Sequence, residues 1–293
     1  MCPERPAPSR RRGVRWVTVW LTILPLIAAA CSDGSGADGD TAAQASATTG
    51  AALQPLEQPS SRCGAPATKA TLVRFQAADG TSLDGVLVGS GPAGVVLAHE
   101  YPADLCGAWP FADYLSKRGL RAFAIDLRCF GRSACPEGEA SGRVVDDLAA
   151  AVAELRRRGV TRVALVGASM GGAAVLIAGT RVQPPVAAVV PLSAETDPTN
   201  LVGGIPLDAG AGVKQLAVPT MLAVATNDRY VSVAETRAMY QAVKVRGRDK
   251  RLAVVSGPFD GRHGWQLLSD PGDGAFTSVA AKVAAFLAAH SRG

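Results

Sequence analysis

One stretch of this chain leaves few ways to fold around it: Arg162-Val-Ala-Leu-Val-Gly167-Ala-Ser169-Met170-Gly171-Gly172-Ala-Ala-Val-Leu-Ile-Ala178. β-favouring apolar residues run up to Gly167, and small apolar residues of helical character start just after Ser169. A Gly-x-Ser-x-Gly between a buried strand and a helix forces a very sharp turn, in which a β-carbon at either glycine collides with a neighbouring strand or helix. The serine backbone is strained, and its hydroxyl stands clear at the strand tip. Beneath it the helix N-terminus directs unpaired N–H groups at any oxyanion that forms there. A chance match to the pattern is expected roughly 0.2 times in a chain of this composition, so the flanking strand and helix carry the inference.

The rest of residues 68–293 supplies that context. β-rich runs at 71–75, 83–88 and 94–98 are followed by a helix over 109–117, a strand over 122–127 and a helix over 143–158. Beyond the serine come strands at 186–190 and 219–225, a helix at 233–243 and a strand at 251–255. A final helix gathers Phe276, Val279, Val283 and Phe286 on one face. Alternating apolar strands and amphipathic helices predict an α/β fold, a mostly parallel central sheet of about eight strands flanked by helices. Fewer than thirty residues lie between the strands at 190 and 219, too few for a large lid domain. Gly89-Ser-Gly91-Pro-Ala-Gly94 matches Gly-x-Gly-x-x-Gly literally, but it contains Pro92 and leads into a strand. It reads as a turn and not as a dinucleotide site. No cofactor is expected.

The front of the chain is of a different kind. Residues 1–30 hold five arginines against Glu4, which is +4 of the formal net charge of +5. The remainder is nearly neutral and gives no reason to expect nucleic acid as a partner. After the basic stretch comes a short apolar run, Trp16 to Ile27, and then Ala28-Ala29-Ala30-Cys31. The reading is a signal peptide over 1–30. Residues 31–67 are poor in large apolar side chains and read as a disordered tether with a span on the order of 30–36 Å. Four cysteines follow Cys31: Cys63, Cys106, Cys129 and Cys135. In an exported chain an even number suggests two disulfides, with three possible pairings; Cys129 and Cys135 bracket a short loop and are placed to bridge locally. With three histidines and no Cys-x-x-Cys, no metal site is expected.

A serine hydroxyl becomes a useful nucleophile only when a base removes its proton and a third group holds that base. In strand–turn–helix serine sites the chain order is serine, acid, histidine. His263 lies in the glycine-rich loop Gly257-Pro-Phe-Asp-Gly-Arg-His263-Gly-Trp265 after the last strand, whereas His290 lies near the end of the chain, read as beyond the last helix and solvated. Asp228 follows a buried strand and precedes a helix; Asp260 reads as a turn residue. The loop after the third strand, His99-Glu100-Tyr101-Pro102, is placed to offer a second oxyanion donor. The expected site is therefore catalytic Ser169, Asp228 and His263, with backbone N–H groups of Tyr101 and Met170 as the oxyanion hole. Glu100, Trp109, Phe130, Tyr230 and Trp265 are expected to line the substrate pocket.

Gly167-Ala-Ser169-Met170-Gly171, Asp228 and His263 in this order, with Asp126-Leu-Arg128-Cys-Phe-Gly131-Arg-Ser133 after the fourth strand, resemble the α/β-hydrolase superfamily. Within it His99-Glu100-Tyr101 is similar to the oxyanion loop of dienelactone-hydrolase-like members, which usually carry a cysteine nucleophile; Ser169 departs toward serine esterases. Separately, Ala28-Ala29-Ala30-Cys31 resembles a bacterial lipoprotein cleavage site, with Ala28 where leucine is usual. These resemblances imply an exported hydrolase of small-molecule esters, either held at the membrane through a lipidated Cys31 alone or simply secreted with Cys31 in its tail. An acyltransferase or peptidase on the same three residues, or a non-catalytic surface-binding protein, are the alternatives.

Overall fold

The computed structural model describes Cys63 and residues 70–136, 143–197, 207–270 and 272–291. The signal peptide and Cys31 lie outside the described residues, as does the tether except for Cys63. Among the described residues no helix is long and apolar enough to cross a membrane, and no cluster of side chains is arranged to hold a metal ion.

Eight strands form one sheet: β1 Thr71–Gln76, β2 Ser82–Val88, β3 Ala93–Ala98, β4 Arg121–Ile125, β5 Arg162–Ala168, β6 Val189–Leu192, β7 Thr220–Ala225 and β8 Lys250–Val255. Their spatial order is β1-β2-β4-β3-β5-β6-β7-β8. β1 and β2 pair antiparallel to their successors in that order, and every later pairing is parallel. Among the described residues six α-helices cover the sheet: α1 Trp109–Ser116, α2 Val144–Arg157, α3 Met170–Arg181, α4 Ala209–Val213, α5 Val233–Ala242 and α6 Ser278–Ser291.

The period of two along each strand divides the core into two layers. Val96 and Ala98 of β3, with Phe123 and Ile125 of β4, pack beneath α2, α3 and α5. Their neighbours Val95, Leu97, Ala122 and Ala124 face α1 and α6. β3, β5 and β7 are buried along almost their whole length, as central parallel strands must be. In α2 the apolar face Val145, Leu148, Val152 and Leu155 is buried. Asp147, in its first turn, serves a second purpose: it is fully buried and grips Arg128 through three hydrogen bonds of 2.6–2.9 Å.

Two corrections to the sequence reading follow. β6 runs over Val189–Leu192 and not over 186–190, so the strand tip lies two residues later. His290 is not solvated beyond the last helix. It sits within α6, where its ring meets the Phe286 carbonyl and the Asp249 carboxylate.

Candidate active site

The C-terminal ends of the parallel strands form one rim, the place where open α/β sheets bind ligands. Ser169 sits there between β5 and α3 with φ +50° and ψ −115°, a conformation only close packing sustains in a residue with a side chain. The two glycines account for that packing. A β-carbon on Gly167 would lie 2.1 Å from the Gly171 carbonyl oxygen, and one on Gly171 would lie 2.5 Å from that of His99. Ser169 N–H also donates to the Leu192 carbonyl at 2.9 Å, tying the turn to the tip of β6.

Asp228 follows β7. Its side chain is fully buried, and its Oδ1 accepts from the N–H groups of Tyr230 (2.9 Å) and Val231 (3.2 Å). His263 follows β8, and its Nδ1 lies 2.9 and 3.0 Å from the two Asp228 oxygens. A carboxylate can only accept, so Nδ1 carries the hydrogen, and the lone pair of the neutral ring is on Nε2. Burial pushes the Asp228 carboxyl up. The hydrogen bonds from His263, from Ser193 and from the Tyr230 N–H outweigh it and leave the group below the usual carboxylate range. The Tyr230 ring stands edge-on to His263, 4.7 Å between centroids.

The loop after β3 is wired by His99. Its buried ring donates from Nδ1 to the Glu100 carbonyl (2.9 Å), and Nε2 accepts the Leu127 N–H (3.1 Å). Asp126, equally buried, accepts the N–H groups of Leu105 and Arg132. These bonds fix Tyr101 against the loop after β4, whose Phe130 packs edge-on to both His99 and Tyr101. Two disulfides brace the same edge, Cys129–Cys135 across that loop and Cys63–Cys106 beside α1.

A cavity of about 620 Å³ opens at this rim. Ser169 and His263 line it together with Glu100, Tyr101, Glu195 and Tyr230. Arg229 lines it as well, and its side chain is exposed. Three residues expected in the pocket stand elsewhere. Trp109 and Trp265 are buried in the core on the α1–α6 side of the sheet, where aromatic bulk fills volume, and Phe130 supports Tyr101 from behind. Met170 opens α3 directly after Ser169, 2% exposed.

Sequence reading missed two polar residues at the tip of β6. Ser193, buried and at φ +46°, accepts the Gly264 N–H at 3.1 Å and also bonds Asp228, which couples the acid to the segment beside His263. Glu195 accepts the Ser169 hydroxyl at 3.1 Å. Both cavity glutamates are pushed up by burial, Glu100 against the pull of His263 and the Trp265 N–H, and Glu195 against that of Ser169 and His263.

Residues 92–209 match the family model described as serine aminopeptidase, S33. That segment includes Ser169 and stops short of Asp228 and His263. The fold is similar to that of an esterase from Pyrococcus furiosus, with TM-score 0.66, 18% identity, and 80% of this chain and 94% of that one covered. It is similar also to an esterase from Exiguobacterium antarcticum, at 0.60, 17%, 74% and 100%. Est1E from Butyrivibrio proteoclasticus, solved with ferulic acid bound, gives 0.57, 17%, 74% and 98%. With its eight-stranded, mostly parallel sheet and the strained Ser169 at the tip of β5, the chain has the α/β-hydrolase fold.

Proposed function

We propose that the chain is an exported serine hydrolase that cleaves carboxylic esters of small molecules through an acyl-serine intermediate. Ser169 Oγ attacks the acyl carbon while His263 Nε2 takes its proton and passes it to the departing alcohol. Water then attacks the acyl-serine with His263 as base again, releasing the acid and restoring the hydroxyl. Asp228 keeps the hydrogen on Nδ1 and stabilises the imidazolium; the N–H groups of Tyr101 and Met170 receive the oxyanion. The observation that carries this reading is the Asp228–His263 pair on the rim of the cavity that Ser169 lines. The esterases named above share the fold and are the reason to take an ester before an amide. The serine aminopeptidase description of the matched segment favours the second reading, cleavage of an amide by the same three residues.

Reaction of the purified protein with a fluorophosphonate probe tests the assignment. Wild type is expected to become covalently labelled at Ser169 and to turn over p-nitrophenyl butyrate, and Ser169→Ala to do neither. Labelling or turnover that survives in the variant would overturn it. Export is supported by the two disulfides, which persist in oxidising compartments. Lipidation at Cys31 completes the proposal. The mass of the mature N-terminal peptide is expected to show a lipid-modified Cys31, and an unmodified N-terminus at any other residue defeats that part alone.

A further inference from the structure

The reaction scheme leaves the cavity carboxylate nearest the proposed nucleophile, Glu195, without a task. Glu195 is half-buried at the tip of β6, and its Oε1 accepts the hydrogen of the proposed nucleophile at 3.1 Å. We propose that Glu195 is a positioning residue whose ionised form holds the Ser169 hydroxyl in a resting orientation and restrains its transfer to His263. The inference rests on Ser169 being the nucleophile.

The argument turns on what changes between the resting site and the transition state. A serine hydroxyl has a single hydrogen, offered either to Glu195 or to His263 Nε2. A charged acceptor makes the stronger hydrogen bond, so an ionised Glu195 wins that hydrogen from a neutral imidazole. As Oγ attacks, its proton passes to His263 and the bond to Glu195 is lost, leaving a carboxylate opposite oxygen lone pairs. The charges that develop nearby act in opposite senses on Glu195, since the imidazolium attracts it and the oxyanion repels it. What remains is stabilisation of the ground state alone, which raises the barrier. A protonated Glu195 carries its own hydrogen and lifts the restraint.

The surroundings decide when the restraint engages. Glu195 faces Ser169 on the β5–α3 turn, Asp228 after β7, Glu235 at the start of α5 and His263 after β8; Glu100 and Arg229 line the same cavity. Burial, Asp228 and Glu235 favour its neutral form, Ser169 and His263 its ionised form, and the balance lies above the usual glutamate range. The restraint therefore engages at a higher pH than an ordinary glutamate would give.

The test is the second-order rate constant of fluorophosphonate labelling across the pH range for wild type, Glu195→Gln and Glu195→Ala, with Ser169→Ala alongside and each variant's thermal melting recorded. The ratio of Glu195→Gln to wild type is expected near one at low pH, where both carry a neutral group. It should climb to about tenfold at high pH, the size of a net hydrogen bond to a charged partner. Glu195→Ala is expected to show the same climb and stands in should the glutamine variant not fold. A ratio that stays flat with pH, at whatever level, or that falls as pH rises, overturns the inference, because a merely structural role moves the rate equally at every pH. Labelling of Ser169→Ala would instead overturn the nucleophile assignment beneath it, so the two failures are distinguishable.

Discussion

Replacing His263 with alanine is expected to cut kcat for p-nitrophenyl butyrate by about 10⁴- to 10⁶-fold, as deeply as replacing Ser169 itself. In the proposed reaction the two act as a unit: without the imidazole the hydroxyl keeps its proton, and without the hydroxyl the imidazole has nothing to deprotonate. Removing both should therefore cost little more than removing either. Asp228→Asn belongs to the same unit but acts on the tautomer. The carboxylate accepts from Nδ1 at 2.9 Å, whereas an amide can donate there and turn the hydrogen onto Nε2, so a loss of about 10⁴ is expected. Steady-state turnover of the three single variants and the Ser169–His263 double variant checks this. Turnover of His263→Ala within tenfold of wild type would sink the assignment of the base. Glu195, a titratable group in contact with the hydroxyl, would then be the first residue to examine.

The residues visible in the sequence were those whose place follows from strand tips. Ser169 and Asp228 come just after an apolar run and His263 in the loop that follows one, and in a parallel sheet the ends of such runs share one rim. Glu195 and Ser193 obey the same rule and were missed because β6 does not look like a strand where it matters. Pro191 lies inside it, paired in register with Gly167, although a proline lacks the N–H that a central strand normally uses. Ending the strand at 190 leaves Glu195 well out in a loop; ending it at Leu192 puts Glu195 three residues from the tip. The pocket aromatics failed for another reason. Tryptophan and phenylalanine near a site serve equally to line it or to hold it up. Burial decides between the two, and Trp109 at 1% and Trp265 at 5% exposure are supports. Tyr230, 62% exposed, is the aromatic that stands beside His263 in the open cavity.

The same turn that exposes Ser169 makes Gly167 a position where a single methyl group should damage the fold severely. A β-carbon on Gly167 would meet only backbone: the Gly171 carbonyl oxygen at 2.1 Å, its carbon at 2.4 Å and the Gly172 nitrogen at 2.9 Å. None of these can rotate away, since they belong to the first turn of α3, which is packed against the sheet on one side and against Ala194 on the other. Relief requires α3 to shift bodily, and Gly167→Ala is expected to cost more than about 4 kcal/mol, in the range reserved for core disruption. For a domain of this size that lowers Tm by at least about 8–16 °C. Gly119→Ala is the control. It puts a side chain at positive φ, +81°, which Gly167→Ala does not, but nothing lies within 4 Å of its β-carbon, so only backbone strain of about 1–2 kcal/mol remains. Equal melting temperatures for the two variants would mean that the elbow yields without strain, and the positive φ of Ser169 would then no longer need the close packing of Gly167 and Gly171 to hold it.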